Sequence, residues 1–282
     1  MNGLQNTPTP SEPGSGAGGN VATSWEVDAC LARGVLYGAL ALGLRPPTGE
    51  SRKRLLSARA GSVLRRAATL VDPDPGGRDL TAAAERLAGL QAEDLEALQI
   101  LYQRVFGHTA RGLVCPFETE YGVQGLFRQP QELADISGYY LAFGLRPRSG
   151  AGERGDHAAC ECEFMDFLNR KEAYALEQGD GPMSETTRKA YRGFVRDHLG
   201  RFGRVFAGRL MRADSNGLFG ALGALLHALL GLEAARLELP VGREMLELRS
   251  TAPDRVPMAC GGGEDAGDTS EENGCEGCPT IP

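Results

Sequence analysis

The feature that most constrains the fold is an uncharged stretch, residues 215–232, which is rich in leucine and alanine. A run of this length is only just long enough for a helix that crosses a bilayer. It contains four glycines and His227, however, and the sequence has no second run of this kind. We therefore interpret it as the central helix of a helical domain, buried on all sides, and expect no insertion into a membrane.

Apolar residues elsewhere recur at helical spacing, and runs of alternating polarity that would predict strands are absent. The sequence therefore predicts an all-α fold, a single-domain bundle of about ten helices. The predicted helices span residues 24–44, 50–70, 79–90, 92–106, 130–143, 156–177, 184–199, 201–211, 217–239 and 242–249. Long loops are predicted between residues 107 and 129 and between residues 145 and 155.

The two ends of the chain differ from its middle in composition. Residues 1–23 are mostly Gly, Pro, Ser, Thr and Asn, with too little apolar surface to offset the entropy lost on ordering. Residues 251–282 are rich in Gly and acidic side chains and contain three cysteines. We predict a helical domain over residues 24–250, framed by a disordered N-terminal segment, 1–23, and a disordered acidic tail, 251–282.

Charge and cysteine usage exclude several classes of protein. The net charge of −7 and the pI near 5.3 argue against nucleic acid as a partner, because phosphate binding needs a basic surface. The N-terminus lacks the basic and apolar regions of a secretory signal, which favours a cytoplasmic location. Seven scattered cysteines suit reduced thiols in a cytoplasm rather than a disulfide framework.

The most informative segment runs from residue 153 to 168. Helical spacing predicts that Asp156 and His157 lie on the first turn of a helix, with His157 and Glu161 on one stripe. We expect Asp156 to accept hydrogen bonds from the free backbone N–H groups of that solvated first turn. The positive end of the helix disfavours an imidazolium, so a neutral His157 is expected.

Three motifs, in this order along the chain, resemble the TorD/DmsD family, the cytoplasmic chaperones dedicated to molybdenum enzymes. The first motif is Pro-aromatic-Glu-x-x-Tyr-Gly. The second is an acidic residue, then Asp-His, then a helix that reads Glu-x-Glu-Phe-Met-x-x-Leu. The third is His-Leu followed by aromatic residues. The matching residues are Pro116, Glu118, Tyr121; Glu153, Asp156, His157, Glu161, Glu163, Phe164, Met165, Leu168; and His198, Phe202. The resemblance covers about residues 25–248. This chain departs from the family pattern at Phe202, where many members have Trp. It also departs at Cys160 and Cys162, where thiols are unusual.

The resemblance implies a chaperone, not an enzyme, with no cofactor of its own. Family members bind the apo catalytic subunit of a DMSO-reductase-family molybdoenzyme and its twin-arginine leader, and hold the subunit until the molybdenum cofactor has been inserted. The expected partners of this chain are therefore such a subunit and its twin-arginine signal peptide. Proteins of molybdenum-cofactor biosynthesis are further candidate partners.

The chemistry of such a client suggests which residues bind it. Two leader arginines need carboxylates, and an apolar leader segment needs a groove. The candidate client- and leader-binding residues are Pro116, Glu118, Glu120, Tyr121, Glu153, Asp156, His157, Glu161 and Glu163. Tyr121, Phe164 and Met165 are candidates to line the groove. Apolar residues at helical spacing more often pack inward, however, so Phe164, Met165, Leu168, His198 and Phe202 are expected to be structural.

The competing hypothesis is a helical metal-binding or redox-sensing protein that uses its cysteines. His157 and Glu161 could share a metal with Cys160 or Cys162, but neither His-Glu-x-x-His nor Glu-x-x-His occurs. The tail residues Cys260, Cys275 and Cys278 include a Cys-x-x-Cys, yet a zinc or iron–sulfur site usually needs a fourth thiolate, from Cys115, Cys160, Cys162 or a client. A tail with incidental thiols is the favoured interpretation, and no metal is expected.

Overall fold

The computed structural model describes residues 24–72, 79–90, 94–107, 112–122, 128–146, 154–240 and 246–249. These residues form ten α-helices and one 3-10 turn, and no strand is present among them, which confirms the predicted all-α fold. The helices are α1 (Ser24–Gly43), α2 (Gly49–Leu56), α3 (Ala58–Val71), α4 (Asp79–Ala88), α5 (Leu95–Phe106), α6 (Arg128–Ala142), α7 (Ala158–Glu177), α8 (Gly181–Asp197), α9 (Leu199–Ala213) and α10 (Leu218–Arg236); the 3-10 turn is Glu118–Glu120.

Helix α7, which carries much of the candidate site, lies along α1. Gly34 of α1 lies at this contact, where a Cβ atom would be 2.9 Å from a carboxylate oxygen of Asp166 and 3.6 Å from the Cβ atom of Asn169. The register of the pair is fixed by a buried hydrogen bond of 3.0 Å from Nε of Arg33 to Oδ1 of Asn169. The sequence could predict both helices but not this pairing, which depends on residues more than a hundred positions apart.

Helix α10 contains most of the uncharged stretch. It is long and apolar enough to cross a bilayer, but 67% of its most apolar window is buried inside the fold. It packs against α4 and α9, and at Gly223 a Cβ atom would lie only 2.7 Å from the backbone oxygen of Ala207. The interpretation of this stretch as a buried central helix is therefore confirmed.

Two helix predictions are wrong. Residues 50–70 form two helices instead of one, because Ser57 adopts an extended conformation and accepts a hydrogen bond from the backbone N–H of Ala60, which caps α3. The helix predicted for residues 242–249 is absent from its described part, 246–249, where Leu248 instead pairs with Tyr121 in an antiparallel bridge. Residues 242–245 lie outside the described residues.

The disorder predicted for residues 1–23 and 251–282 concerns segments outside the described residues. The same holds for Glu153 and for the tail thiols of Cys260, Cys275 and Cys278. The disorder of both ends, the role of Glu153, the state of the tail thiols and the domain limits at residues 24 and 250 therefore stay predictions.

An aromatic cluster joins α6, α7 and α8 beneath the candidate site. The Phe164 ring of α7 lies 4.9 Å, between centroids, from both Tyr140 of α6 and Phe194 of α8. Met165 and Leu168 are also completely buried. These side chains of the Phe-Met-x-x-Leu motif lie in the hydrophobic core, where edge-to-face ring contacts add to the stability supplied by burial.

Candidate functional site

The site is built around the segment 112–122, which crosses the start of α7. The backbone N–H of Glu118 donates to the carbonyl of Asp156 at 2.9 Å, and that of Ala158 donates to the carbonyl of Pro116 at 2.8 Å. The Tyr121 hydroxyl closes the segment on itself by donating to the carbonyl of Cys115 at 2.7 Å. The loop therefore faces the start of α7 at Asp156.

Asp156 is completely buried and holds the loop to the helix with its carboxylate. Oδ2 accepts from the Thr119 hydroxyl at 2.8 Å and from its backbone N–H at 3.3 Å. The Arg154 guanidinium donates to both carboxylate oxygens, from Nε at 3.0 Å and from Nη2 at 2.8 Å. The expectation of a solvated carboxylate on the first helical turn was therefore wrong, because Asp156 precedes the helix and points toward the loop.

His157 caps α7 in place of Asp156. Its Nδ1 atom accepts a hydrogen bond of 3.0 Å from the backbone N–H of Ala159, and its ring packs edge-on against Phe117. An accepting Nδ1 carries no proton, so this geometry belongs to a neutral imidazole with its proton on Nε2. The neutral imidazole expected for His157 agrees with the hydrogen bond from Ala159. The capping role, however, was predicted for Asp156 and belongs to His157.

Glu118 is the second buried carboxylate of the site. Its Oε2 atom lies 3.2 Å from Nδ1 of His198, and its Oε1 atom accepts from Nη2 of Arg201 at 3.3 Å. Arg201 also donates to Glu132 of α6 at 3.0 Å. Glu118 therefore connects the 3-10 turn to the junction of α8 and α9, where the sequence analysis expected His198 to be only a structural residue.

Glu161 is the third buried carboxyl group, on the first turn of α7. Its carboxyl group lies beside that of Glu118. Its pKa is raised well above the ordinary value, first because burial penalises the charged form, and further because the Glu118 and Asp156 carboxylates lie nearby. Burial and the two ion-paired carboxylates therefore favour the neutral form of Glu161.

The remaining acidic candidates lie at the edge of this cluster or away from it. Glu120 accepts from Nη1 of Arg154 at 3.1 Å and is partly exposed. Glu163 has a side chain that is 62% exposed and pairs with Arg45 at 2.7 Å. The structure therefore joins Glu118, Glu120, Asp156 and Glu161 in one cluster and leaves Glu163 outside it.

The apolar candidates do not line a groove in this structure. Tyr121 and Phe164 are almost completely buried, and Met165 is completely so. Tyr121 packs on Phe202, with ring centroids 5.6 Å apart, because both side chains help to close the core beneath the loop. An apolar client segment would have to contact other side chains.

Arginines are the site residues that sequence reasoning missed. Arg154 neutralises Asp156 and Glu120, and its guanidinium lies 4.4 Å from the centroid of the Phe117 ring. Burial alone lowers the pKa of Arg154, but hydrogen bonds and charge from Asp156 and Glu120 outweigh that effect and raise it. No motif signals such a role, since ion pairing depends on tertiary contacts. The only hint in the sequence was that Arg154 stands two residues before Asp156.

No group of three or more His, Cys, Asp or Glu side chains is arranged to hold a metal ion in the described part of the chain. The carboxylates of the cluster are matched by arginines instead, through contacts of 2.8 Å from Arg154 to Asp156 and 3.3 Å from Arg201 to Glu118. The arrangement is suited to exchanging one cationic partner for another, because charge-assisted bonds to guanidinium groups are already its main contacts.

Two comparisons with known proteins bear on the part of the chain that carries the loop and the carboxylate cluster. A family model described as nitrate reductase delta subunit matches residues 72–208, which include all of the loop and the cluster. The chain is also 29% identical over 178 residues to the perchlorate reductase assembly chaperone protein of Dechloromonas aromatica (strain RCB), an alignment that covers 61% of this chain and 75% of that relative. With the three motifs in family order, these matches support the resemblance of this chain to redox-enzyme maturation chaperones.

Proposed function

We propose that this chain is a client-specific chaperone of a DMSO-reductase-family molybdoenzyme. It binds the apo catalytic subunit in the cytoplasm and assists insertion of the molybdenum cofactor before assembly or export. It acts by binding and does not catalyse a reaction. The perchlorate reductase assembly chaperone among its relatives supports this class of client.

The observation that carries the proposal is the convergence of the three family motifs on one cluster. Glu118 comes from the loop motif, Asp156 from the Asp-His motif and His198 from the His-Leu motif, and 3.2 Å separates Glu118 from His198. Residues that serve only packing need not bring buried carboxylates together, because burying charge is costly. A cluster of this composition, near the surface at Arg154 and Arg201, supports recognition of a cationic client segment.

Binding of the client's twin-arginine leader is the finer part of the proposal. Guanidinium groups form charge-assisted and bidentate bonds with carboxylates, and the cluster provides Glu118, Glu120 and Asp156 at the start of α7. Proteins of molybdenum-cofactor biosynthesis are proposed as further partners of the complex formed with the client.

Co-purification with the client tests the proposal. The chain is co-expressed with a tagged candidate molybdoenzyme catalytic subunit from the same organism, in cells that do or do not make the molybdenum cofactor. We expect a stable complex with the cofactor-free subunit and little complex with the loaded one. Equal recovery with both forms, or no complex with either, would contradict a maturation role.

A metal-binding or redox-sensing protein remains the second candidate, and three of the four described thiols give it little support. Burial raises the pKa of Cys30 and of Cys115 to about 11, and that of Cys162 well above its ordinary value. Because the thiolate is the reactive and metal-binding form, these three cysteines are poorly suited to either role. Elemental analysis of protein purified without oxygen separates the candidates, since stoichiometric zinc or iron would favour the second.

A further inference from the structure

The guanidinium of Arg154 is held in a cradle formed by side chains of the loop and by Asp156. It donates to both Asp156 oxygens at 3.0 and 2.8 Å, to Glu120 at 3.1 Å and to the Thr119 hydroxyl at 2.8 Å. One face of the group lies 4.4 Å from the centroid of the Phe117 ring. Four hydrogen bonds and an aromatic contact thus hold one cation.

This combination is selective for guanidinium over ammonium. A guanidinium is planar and can bond both oxygens of a carboxylate while one face rests on an aromatic ring. A lysine ammonium is a compact point charge that cannot satisfy the same set of acceptors at once. The chemistry of the cradle is therefore that of a receptor for an arginine side chain from any chain that can reach it.

We propose that this cradle is the binding site for an arginine of the client's leader, and that Arg154 occupies it in the free chaperone as an internal substitute. The client's arginine displaces Arg154 when it binds, so that one guanidinium replaces another on the same acceptors. The inference rests on the proposed function, since it names the contact by which the leader is recognised.

Arg154 is better placed to leave its site than the other arginine of the cluster. Arg201 projects from the first turn of α9 and bridges Glu118 and Glu132, so its backbone is fixed by the helix. Arg154 precedes α7, and the difference lies in this backbone position, since the two side chains are similarly exposed, 38% for Arg154 and 35% for Arg201. When Arg154 leaves, Asp156 keeps both hydrogen bonds from Thr119, and the carboxylate stays oriented for an incoming guanidinium.

An internal substitute competes with the client, which gives the proposal a measurable consequence. The apparent affinity of a site is reduced by the fraction of molecules in which the site is free. If Arg154 leaves the cradle in roughly one molecule in ten, its removal raises the affinity for an arginine peptide about tenfold. A residue that merely supports the fold would lower the affinity when it is removed.

The first experiment compares peptide binding by the full chain and by Arg154→Ala, using the client's leader peptide and a copy with Lys-Lys in place of Arg-Arg. We expect Arg154→Ala to bind the arginine peptide about tenfold more tightly and the lysine peptide no better. Arg154→Lys should fall between the two proteins, since an ammonium competes less well for the cradle. Arg170→Ala is the matched control, because it removes an exposed arginine that pairs with Asp166 on α7.

A second experiment does not depend on the leader. N-acetyl-arginine amide should raise the melting temperature of Arg154→Ala by mass action, while N-acetyl-lysine amide should not, and Asp156→Asn in the same background should abolish the effect. If arginine amide stabilises Arg154→Ala but the leader peptide binds neither protein, the cradle binds arginine side chains but does not recognise the leader. If the leader binds both proteins equally, or binds Arg154→Ala more weakly, the displacement is refuted although leader binding stands. No stabilisation by arginine amide would also overturn the cradle.

Discussion

The Nδ1 atom of His198 lies 3.2 Å from Oε2 of Glu118, although the two residues are 80 positions apart in the sequence. His198 occupies the tight junction between α8 and α9, and Glu118 begins the 3-10 turn of the loop. At this junction a Cβ atom on Gly200 would lie 2.2 Å from the Val195 carbonyl oxygen, so the turn requires glycine. The contact thus connects two family motifs through a junction with little freedom to move.

Replacing Asp156 by Ala should destabilise the fold. The buried carboxylate accepts two hydrogen bonds from Thr119 and two from Arg154. Its loss leaves the Thr119 donors without their acceptor and Arg154 with only Glu120 and Thr119, at a cost of about 3 kcal/mol in the free energy of unfolding. Asp94→Ala is the matched control, because Asp94 is an exposed cap of α5, and its loss should cost about 1 kcal/mol. Urea denaturation measures both values. Equal losses would mean that Asp156 acts only as an ordinary cap.

Glu161→Gln should change the pH dependence of stability. Burial and the neighbouring carboxylates raise the pKa of Glu161 in the folded chain, so the neutral form stabilises the fold fully below the unfolded pKa of about 4.3. This contribution is lost as the pH rises through the folded pKa, whereas glutamine does not titrate. The variant should therefore gain stability relative to the wild type as the pH rises above about 4.3.

Urea denaturation at several pH values measures this gain, with Glu163→Gln as the control. Glu163 is an exposed carboxylate on the same helix. Parallel stability curves for Glu161→Gln and the wild type would contradict the raised pKa.

The sequence was most informative where local patterns decide the structure. The helical spacing of α1, α7 and α10 predicted them within a few residues, because burial of an apolar face is a local signal. The break at Ser57 was missed, because a serine inside a helical pattern and a serine at a cap look the same in sequence. The extended pairing of Leu248 with Tyr121 also had no local signal.

In the candidate site, too, the sequence predicted some residues and could not predict the contacts between them. Asp156, His157 and Glu118 could be named as candidates because they belong to motifs with fixed spacing, and their role in binding stays a prediction. Their burial and the roles of Arg154 and Arg201 could not be found, since an arginine's partner is set by how distant segments pack.

Replacement by alanine should have opposite effects on the stability of the fold at two glycines of α10. Gly223→Ala places a Cβ atom 2.7 Å from the Ala207 carbonyl oxygen, where α9 and α10 are in close contact, and should cost about 2 kcal/mol of stability. At Gly231 no atom outside the neighbouring backbone of α10 lies within 4 Å of the added Cβ, so Gly231→Ala should stabilise the helix by about 0.5–1 kcal/mol. Thermal melts of both variants test the packing, and a loss at both positions would contradict it.

Cysteine labelling should distinguish the described thiols. Cys30, Cys115 and Cys162 are buried with raised pKa values, so iodoacetamide at pH 8 should leave them unmodified in the folded chain. Cys160 is partly exposed and should react first among the four. Peptide mapping by mass spectrometry reads each site separately, with urea-unfolded protein as the control. Rapid labelling of Cys162 or Cys115 would revive a redox role for the buried thiols.

The most direct test of a maturation role is the molybdenum content of the client. The catalytic subunit is purified from cells that lack this chaperone, from cells that carry it, and from cells that carry Glu118→Gln or the control Glu185→Gln, whose carboxylate is exposed and pairs with Lys189. We expect subunit without the chaperone to contain little molybdenum, Glu185→Gln to restore full loading and Glu118→Gln to restore only part of it. Subunit fully loaded with molybdenum in the absence of this chain would contradict the account.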